Sequence, residues 1–421
     1  MIKAPADRYR PRVVDSLIDE DLSIFGGVLI TGPKWCGKTW TGINHSESVI
    51  SMDDRDSLEV ARLSPSTALS GGFPRLIDEW QRVPELWDAA RHKIDCANER
   101  GLYIFTGSAV PPENSTFHTG TGRFARVKMR PMSLFESGDS TGSVSLSKMF
   151  KTGTVDSAPS SIDYEKAVWL ICRGGWPASL WADGEKALRI PRAYVESLAS
   201  SDTNRADMRR RDPFVNERLL RSLARNSASP VKASVISTDV SGSEHNVSEA
   251  SVRNYVDSLR TIFAVEEQGA WMPSLRSRAR VRTSPKIHFA DPSLAVAAMK
   301  TGPDGLKMDA KTAGILFESL CYRDLSVCAS PLNGNVYHYR DSNDLEVDAI
   351  VELADGRWGA VEVKLGHSQY NEAASNLLRL AENVGEGASK PSFLMILTAT
   401  GGFAYARSDG ICVVPIDCLG P

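Results

Sequence analysis

"GVLITGPKWCGKTWTG", residues 27–42, is the stretch whose reading decides the fold. Its centre, GPKWCGKT at 32–39, satisfies G-x-x-x-x-G-K-[ST] with Gly32, Gly37, Lys38 and Thr39. An apolar run precedes it and reads as a strand, while TWTG after it opens a helix. Strand, glycine loop and helix in that order let Gly32, Pro33, Lys34, Trp35, Cys36 and Gly37 wrap a triphosphate. The free N–H groups of the loop and the helix N-terminus then face the phosphate oxygens. Lys38 reaches the β- and γ-phosphates, and Thr39 ligates Mg2+. A ligand-free glycine turn is the alternative, and the flanking strand speaks against it.

Outward from that loop, residues 1–135 alternate short apolar runs with helical patterns, as a βα-type domain does. The runs at 26–31, 48–52, 75–78 and 102–108 read as core strands. "LIDEWQ" at 76–81 places Asp78 and Glu79 at a strand end. Asp78 is then the carboxylate on the Mg2+ side, and Glu79 is the base that polarises the attacking water. A capped strand end is the plainer reading. "YIFTGS" ends on Ser108, a candidate γ-phosphate sensor, although Thr-Gly-Ser is also a common turn.

Farther along, residues 137–161 are rich in Gly, Ser and Thr and read as an exposed connection. Residues 163–270 read mainly as helices. "VSEASVRNYVDSLRTIFAVEE" at 247–267 has Ser248 as an N-cap and an apolar face of Val252, Tyr255, Val256, Leu259 and Phe263. Arg276, Arg278, Arg280 and Arg282 follow with a period of two, which puts all four on one face of an extended segment. A helix followed by a basic strand pair is what a winged helix presents to DNA. A charged hairpin edge that resists sheet pairing is the alternative. "RADMRRRD" at 205–212 reads as an exposed helix end.

From about residue 305 the pattern is again α/β. "EVDAIVELADGRWGAVEVKLG" at 346–366 reads as a hairpin, with Asp348 on one strand and Glu362 and Lys364 on one face of the next. Two carboxylates and a lysine so gathered can hold Mg2+ and activate water for phosphodiester attack.

Bulk properties narrow the classes. At 421 residues the chain is expected to form two or three domains. Its 49 basic and 52 acidic residues give a net charge of −3, so nucleic acid can be bound only through a local basic patch. The 7 cysteines form no C-x-x-C, which fits a reduced compartment and excludes a paired-cysteine zinc site. The N-terminus lacks a signal-peptide core, and no apolar run reaches spanning length. The expectation is a soluble cytoplasmic protein without membrane contact.

"SMDDRDSLEVARLSP" (51–65), "LIDEWQRVPELW" (76–87), "GLYIFTGSA" (101–109) and "TGRFARVKMRPMSLFE" (121–136) resemble, in that order, prokaryotic AAA-type (AAA+) P-loop ATPases whose C-terminal domain has no assigned function. "RGGWPASL" (173–180) and "SPKIHFADPSLA" (284–295) are similar to the middle region of the same family. The resemblance implies ATP as ligand and a ring-forming homo-oligomer, such as a hexamer. It also implies an arginine finger acting on a neighbouring subunit's γ-phosphate. Arg123 is the candidate, Arg126 and Arg130 are its rivals, and a solvated arginine is the alternative.

The C-terminal hairpin resembles the PD-(D/E)xK nuclease superfamily, with Val347 where the motif's proline would stand. That implies metal ligation by Asp348 and Glu362, a catalytic Lys364 and an accessory Glu318. An intact metal site, a degenerate fold kept for DNA binding and an ordinary charged hairpin all remain open. His367 reads as a surface residue.

The expected fold class is therefore α/β: a P-loop domain with a parallel sheet at 1–136, a flexible connection at 137–162, a helical and winged-helix-like region at 163–300, and a nuclease-like α/β domain at 301–421. The expected function is a Mg2+- and ATP-dependent ATPase that remodels or translocates DNA, branched DNA such as Holliday junctions included. A nucleotide-dependent switch in a protein-interaction or defence assembly is one alternative, and an ATP-regulated metal-dependent nuclease is another.

Overall fold

Val28, Leu29 and Ile30 are all buried in strand β1 (Gly27–Thr31), the continuous apolar run expected of a strand covered on both faces. The structure is a computed structural model that describes residues 9–107, 120–202, 212–241, 247–273, 284–341, 345–384 and 389–421. These fall into two units, Met1–Pro131 with Thr261–Phe263, and Met132–Arg260 with Ala264–Pro421.

In the first unit β1 is joined by β2 (Ser48–Ser51), β3 (Arg75–Asp78), β4 (Tyr103–Gly107) and β5 (Phe124–Lys128). They form a parallel sheet in the order β2-β3-β4-β1-β5. β5 was not among the strands read from the sequence. Its alternating burial, rather than a continuous apolar run, explains why. The register aligns Ser51 with Asp78, Asp78 with Thr106, and Thr31 with Gly107. The carboxyl ends of four strands thus share one edge, where open α/β sheets bind ligands. An aromatic cluster fixes the sheet: Trp87 stacks on Trp80 at 5.0 Å and on Phe124 at 4.2 Å, with Phe105 edge-on to all three rings.

The second unit begins with a departure from expectation. Residues 137–162 are not an exposed connection. They hold β6 (Val144–Ser145), the helix Leu146–Thr152 and β7 (Ala158–Pro159), with Val144, Leu146, Met149, Phe150 and Ala158 buried. The helices Tyr164–Arg173 and Arg189–Ser197 follow.

Then come the helices Pro213–Arg225, Ala233–Val240 and Glu249–Thr261 and the antiparallel pair β8 (Val265–Gln268) and β9 (Lys286–Phe289). Ser229, between the first two helices, bridges to Ile287 of β9. Three helices, a bridging residue and a two-stranded hairpin form the element order of a winged helix. Ser248 accepts from the Ser251 N–H at 3.1 Å, as its N-cap reading requires, and Val252, Tyr255, Val256 and Leu259 are buried.

The C-terminal sheet contains β10 (Asn335–Arg340), β11 (Glu346–Glu352), β12 (Trp358–Lys364), β13 (Leu394–Thr398), β14 (Phe403–Ala406) and β15 (Cys412–Pro415). Its order is β10-β11-β12-β13-β15-β14-β7, so β7 closes one edge. A final strand, β16 (Leu419–Gly420), runs parallel to β6. The helices Ala310–Ala329 and Tyr370–Asn383 pack on the sheet, the second setting Ala373, Ala374 and Leu377 in one core cluster with Val347, Ile350 and Ala360. No helix among the described residues is long and apolar enough to cross a membrane.

Candidate nucleotide site and the C-terminal carboxylate cluster

The loop after β1 can form only with glycine at its ends. Gly32 has φ 156°, and a side chain there would lie 2.1 Å from the Met129 carbonyl oxygen. Gly37, at φ 102°, caps the helix Lys38–Asn44 in left-handed geometry that other residues adopt at a cost. Trp35 also has positive φ, at 63°, and stays about half exposed. Lys38 is buried and turns its ammonium onto the loop's own Pro33 carbonyl at 2.7 Å.

Asp78 collects three hydroxyls. Thr39 Oγ1 donates to Oδ1 at 2.9 Å, Thr106 Oγ1 to Oδ1 at 2.6 Å, and Ser51 Oγ to Oδ2 at 3.2 Å. A hydroxyl and a carboxylate at this separation are hard oxygen donors, so Thr39 and Asp78 suit Mg2+. Glu79 follows at φ 54° and accepts from the Gln81 side-chain amide. Burial, opposed by Lys38 and reinforced by the Asp78 charge, holds the Glu79 carboxyl above its usual value. A carboxyl tuned upward beside Lys38 suits a general base.

Three contributors were missed by the sequence reading. Thr106, two residues before Ser108, is the side chain of "YIFTGS" that reaches Asp78, and Ser51 does so from β2. Ser108 lies outside the described residues. The third is Arg12, 5% exposed, which donates to the Cys36 carbonyl at 2.8 Å and to the Arg130 carbonyl at 2.7 Å. It ties the loop to the segment after β5, and only the folded chain brings these positions together.

Thr31, where the loop begins, pairs with Lys128, whereas Arg123 precedes Phe124, the partner of Gly27. Arg123 is therefore roughly 16 Å along the strand from the nucleotide end, bonded to Asp95 at 2.8 Å. Arg126 is exposed in mid-strand, and Arg130 lies just past the nucleotide end of β5.

In the second unit the pairing of Ala349 with Val361 brings Asp348 beside Glu362. Asp348 Oδ2 accepts from the Val363 N–H at 2.8 Å. Lys364 Nζ lies 2.5 Å from Glu362 Oε2 and 3.4 Å from Asp348 Oδ2. Asn376 donates to Glu362 Oε1 at 3.3 Å.

The structure adds a residue that the sequence reading left out. Lys286 of β9 reaches into the cluster, 2.8 Å from Glu318 Oε1 and 3.0 Å from Glu346 Oε1. Burial, then the Asp348 charge, pushes Glu362 up to about 8 against the pull of Lys364. Burial pushes Glu318 up to about 7 against Lys286. Asp348 is shifted the other way: burial works against it, but Lys364 and Lys286 hold it below the usual carboxylate value.

As placed, these residues do not fit a divalent cation. Glu318 and Glu346 are committed to Lys286, and Asp348 and Glu362 to Lys364. Among the described residues no group of three or more His, Cys, Asp or Glu is disposed to hold a metal ion. Arg276, Arg278, Arg280 and Arg282, with the basic strand pair read there, lie outside the described residues; the strands that flank them, β8 and β9, pair antiparallel.

With this geometry established, the similarities to known proteins fall into place. Residues 26–137 match an AAA domain family, 164–305 a domain of unknown function (DUF8612), and 313–419 another (DUF4143). The N-terminal unit is thus an AAA-type P-loop ATPase domain, followed by two domains of unassigned role. Uncharacterized proteins of Mycobacterium tuberculosis and Mycobacterium bovis are 26% identical over 344 residues, which span 80% of this chain and 70% of theirs. Among solved structures, a Walker-type ATPase of Pyrococcus abyssi aligns at 15% identity and TM-score 0.45, covering 70% of this chain and 97% of that one. The replication initiator DnaA bound to AMPPCP and single-stranded DNA aligns at 12% identity and TM-score 0.30, covering 62% of this chain and 93% of that one.

Proposed function

We propose that the chain hydrolyses ATP at the loop Gly32–Thr39 and uses the hydrolysis to act on DNA. The observation that carries the ATPase reading is the contact of Thr39 with Asp78, with Glu79 adjacent and Lys38 folded onto its own loop. Lys38 turns from the Pro33 carbonyl to the β- and γ-phosphates, a short reorientation of a flexible stem. Thr39 and Asp78 would hold Mg2+, which supplies charge neutralisation at the phosphates. Glu79, released from Gln81, takes the proton from the attacking water in line with the γ-phosphate. In this reading Arg123, far along β5 from its own loop, is the candidate finger for a neighbouring subunit's nucleotide in a homo-oligomer, such as a hexameric ring.

DNA as the object of the work is supported by the winged-helix element order and by the four arginines between β8 and β9. The C-terminal domain is then a nuclease-like fold that serves binding. A second reading, a nucleotide-dependent switch in a protein assembly, draws on one observation. On the exposed face of the helix Glu249–Thr261, Arg253 is paired with Glu249 and Arg260 with Asp257, so that face carries no net positive charge.

The deciding experiment is the ATPase rate with single-stranded, duplex and four-way-junction DNA, beside a Lys38→Ala control. Turnover that vanishes in Lys38→Ala and rises with one DNA form is the expected result. Unchanged turnover in Lys38→Ala would remove the loop from its role. A rate indifferent to every DNA form would favour the switch.

A further inference from the structure

We propose that the Lys286 ammonium is a built-in substitute for a divalent cation in the C-terminal carboxylate cluster, so that this domain binds no metal ion there and performs no metal-dependent cleavage. The inference does not rest on ATP hydrolysis. It begins from how Lys286 is held. The side chain is 2% exposed, yet its nitrogen lies 2.8 Å from Glu318 and 3.0 Å from Glu346, and the Asp348 charge also acts on it. A buried ammonium is tolerated only where carboxylates repay its lost hydration, and here they are the acids that a cation would need.

The strand that carries Lys286 is held by the hairpin. Lys286 is the cross-strand partner of Gln268. Gln268 donates to the main-chain carbonyls of Tyr337 at 3.0 Å and Asp348 at 2.9 Å. Its side-chain oxygen meets the buried His288 at 3.0 Å, and His288 in turn meets Ser319 at 3.0 Å, next to Glu318. β8 and β9 are thus stapled to the helix Ala310–Ala329 and to β11, the elements that carry Glu318 and Glu346, so the strand holds Lys286 against them. On the other side Lys364 already spans Asp348 and Glu362. A divalent ion entering the cluster would face two ammonium groups and have no free carboxylate pair.

The test is a Mn2+ titration of the nucleotide-free full chain, reading free Mn2+ by electron paramagnetic resonance, beside plasmid nicking in Mg2+ and in Mn2+. The parent and Asp348→Asn should bind Mn2+ identically, and neither should nick. Lys286→Met, and Lys286→Gln should the first fail to fold, should gain one site, tighter by roughly tenfold or more once the competing charge is gone. Adding Asp348→Asn should abolish the gain, and Lys286→Arg should behave as the parent. The proposal is overturned by a parent site that Asp348→Asn removes. It is overturned equally if a Lys286→Met or Lys286→Gln protein with the parent's circular dichroism gains no Mn2+.

Discussion

At the nucleotide loop Lys38 leans on a main-chain carbonyl and Asp78 is met by hydroxyls, whereas in the C-terminal sheet each acid of the cluster lies against a lysine. Both places gather acids and lysine side chains. In the first, charge is held by neutral partners that a phosphate or a cation can replace at little cost. In the second, charge is consumed within the protein. The difference teaches that residue types alone do not make a site: what matters is whether their counter-charge is left for a ligand.

The sharpest way to break this comparison is Glu79→Gln. It should keep ATP binding while turnover falls by about 10²–10⁴-fold, the usual contribution of a positioned base. ATP binding and hydrolysis measured on one preparation decide it, and turnover at the parent rate would place the base elsewhere.

The internally paired side is sharpened by Arg323, which is buried and bonded to Asp291 and Asp324, each at 2.6 Å. Asp324 also accepts from the Leu134 N–H, and Asp291 from the Gly175 N–H. Arg323→Met leaves two buried acids uncompensated and should cost about 3–5 kcal/mol in urea denaturation. A loss near zero would mean that these charges are solvated after all.

Arg276, Arg278, Arg280 and Arg282 belong on the ligand side if DNA is the partner. Replacing Arg278, Arg280 and Arg282 together with Ala should weaken DNA binding and lower the salt slope by about 2–3. An unaltered slope would assign them to the protein's own surface.

A pH-dependent effect concerns His288, buried between Gln268 and Ser319. Burial, then Lys286, brings its pKa down from 6.5 to about 3 against the opposing charge of Glu266. The unfolded chain takes up that proton below 6.5 and the folded chain does not until about 3. Stability from the neutral ring is therefore complete above 6.5 and is lost on acidification, at about 1.4 kcal/mol per pH unit. The stability difference between the parent and His288→Gln should shrink as pH falls through that window, and a pH-independent difference would show that the ring charges while folded.

The nucleotide site was legible because it is local: Gly32 to Thr39 form one turn, and Asp78 with Glu79 end one strand. The hairpin carrying Asp348, Glu362 and Lys364 was legible for the same reason. Lys286 was not, since "SPKIHF" shows one lysine on a short strand and its partners lie 32 and 60 positions on. Arg12 escaped likewise, because its partners are carbonyls, which no sequence displays. The segment 137–162 misled by composition: strands of two residues, set in a stretch rich in Ser, Thr and Gly, have no periodicity to detect.

That segment has a consequence in time. Ser160 bonds to Asp417, 257 residues downstream, and β6 and β7 find their partners at 419–420 and 403–404. During synthesis the nucleotide domain has all five of its strands as soon as it leaves the ribosome. The stretch just behind it must wait, unpaired, until residues 403–420 have been made. Such distant pairings close late and slowly. Ribosome stalling or premature termination near residue 400 would therefore leave a finished ATPase domain trailing an open sheet edge, which is a template for aggregation.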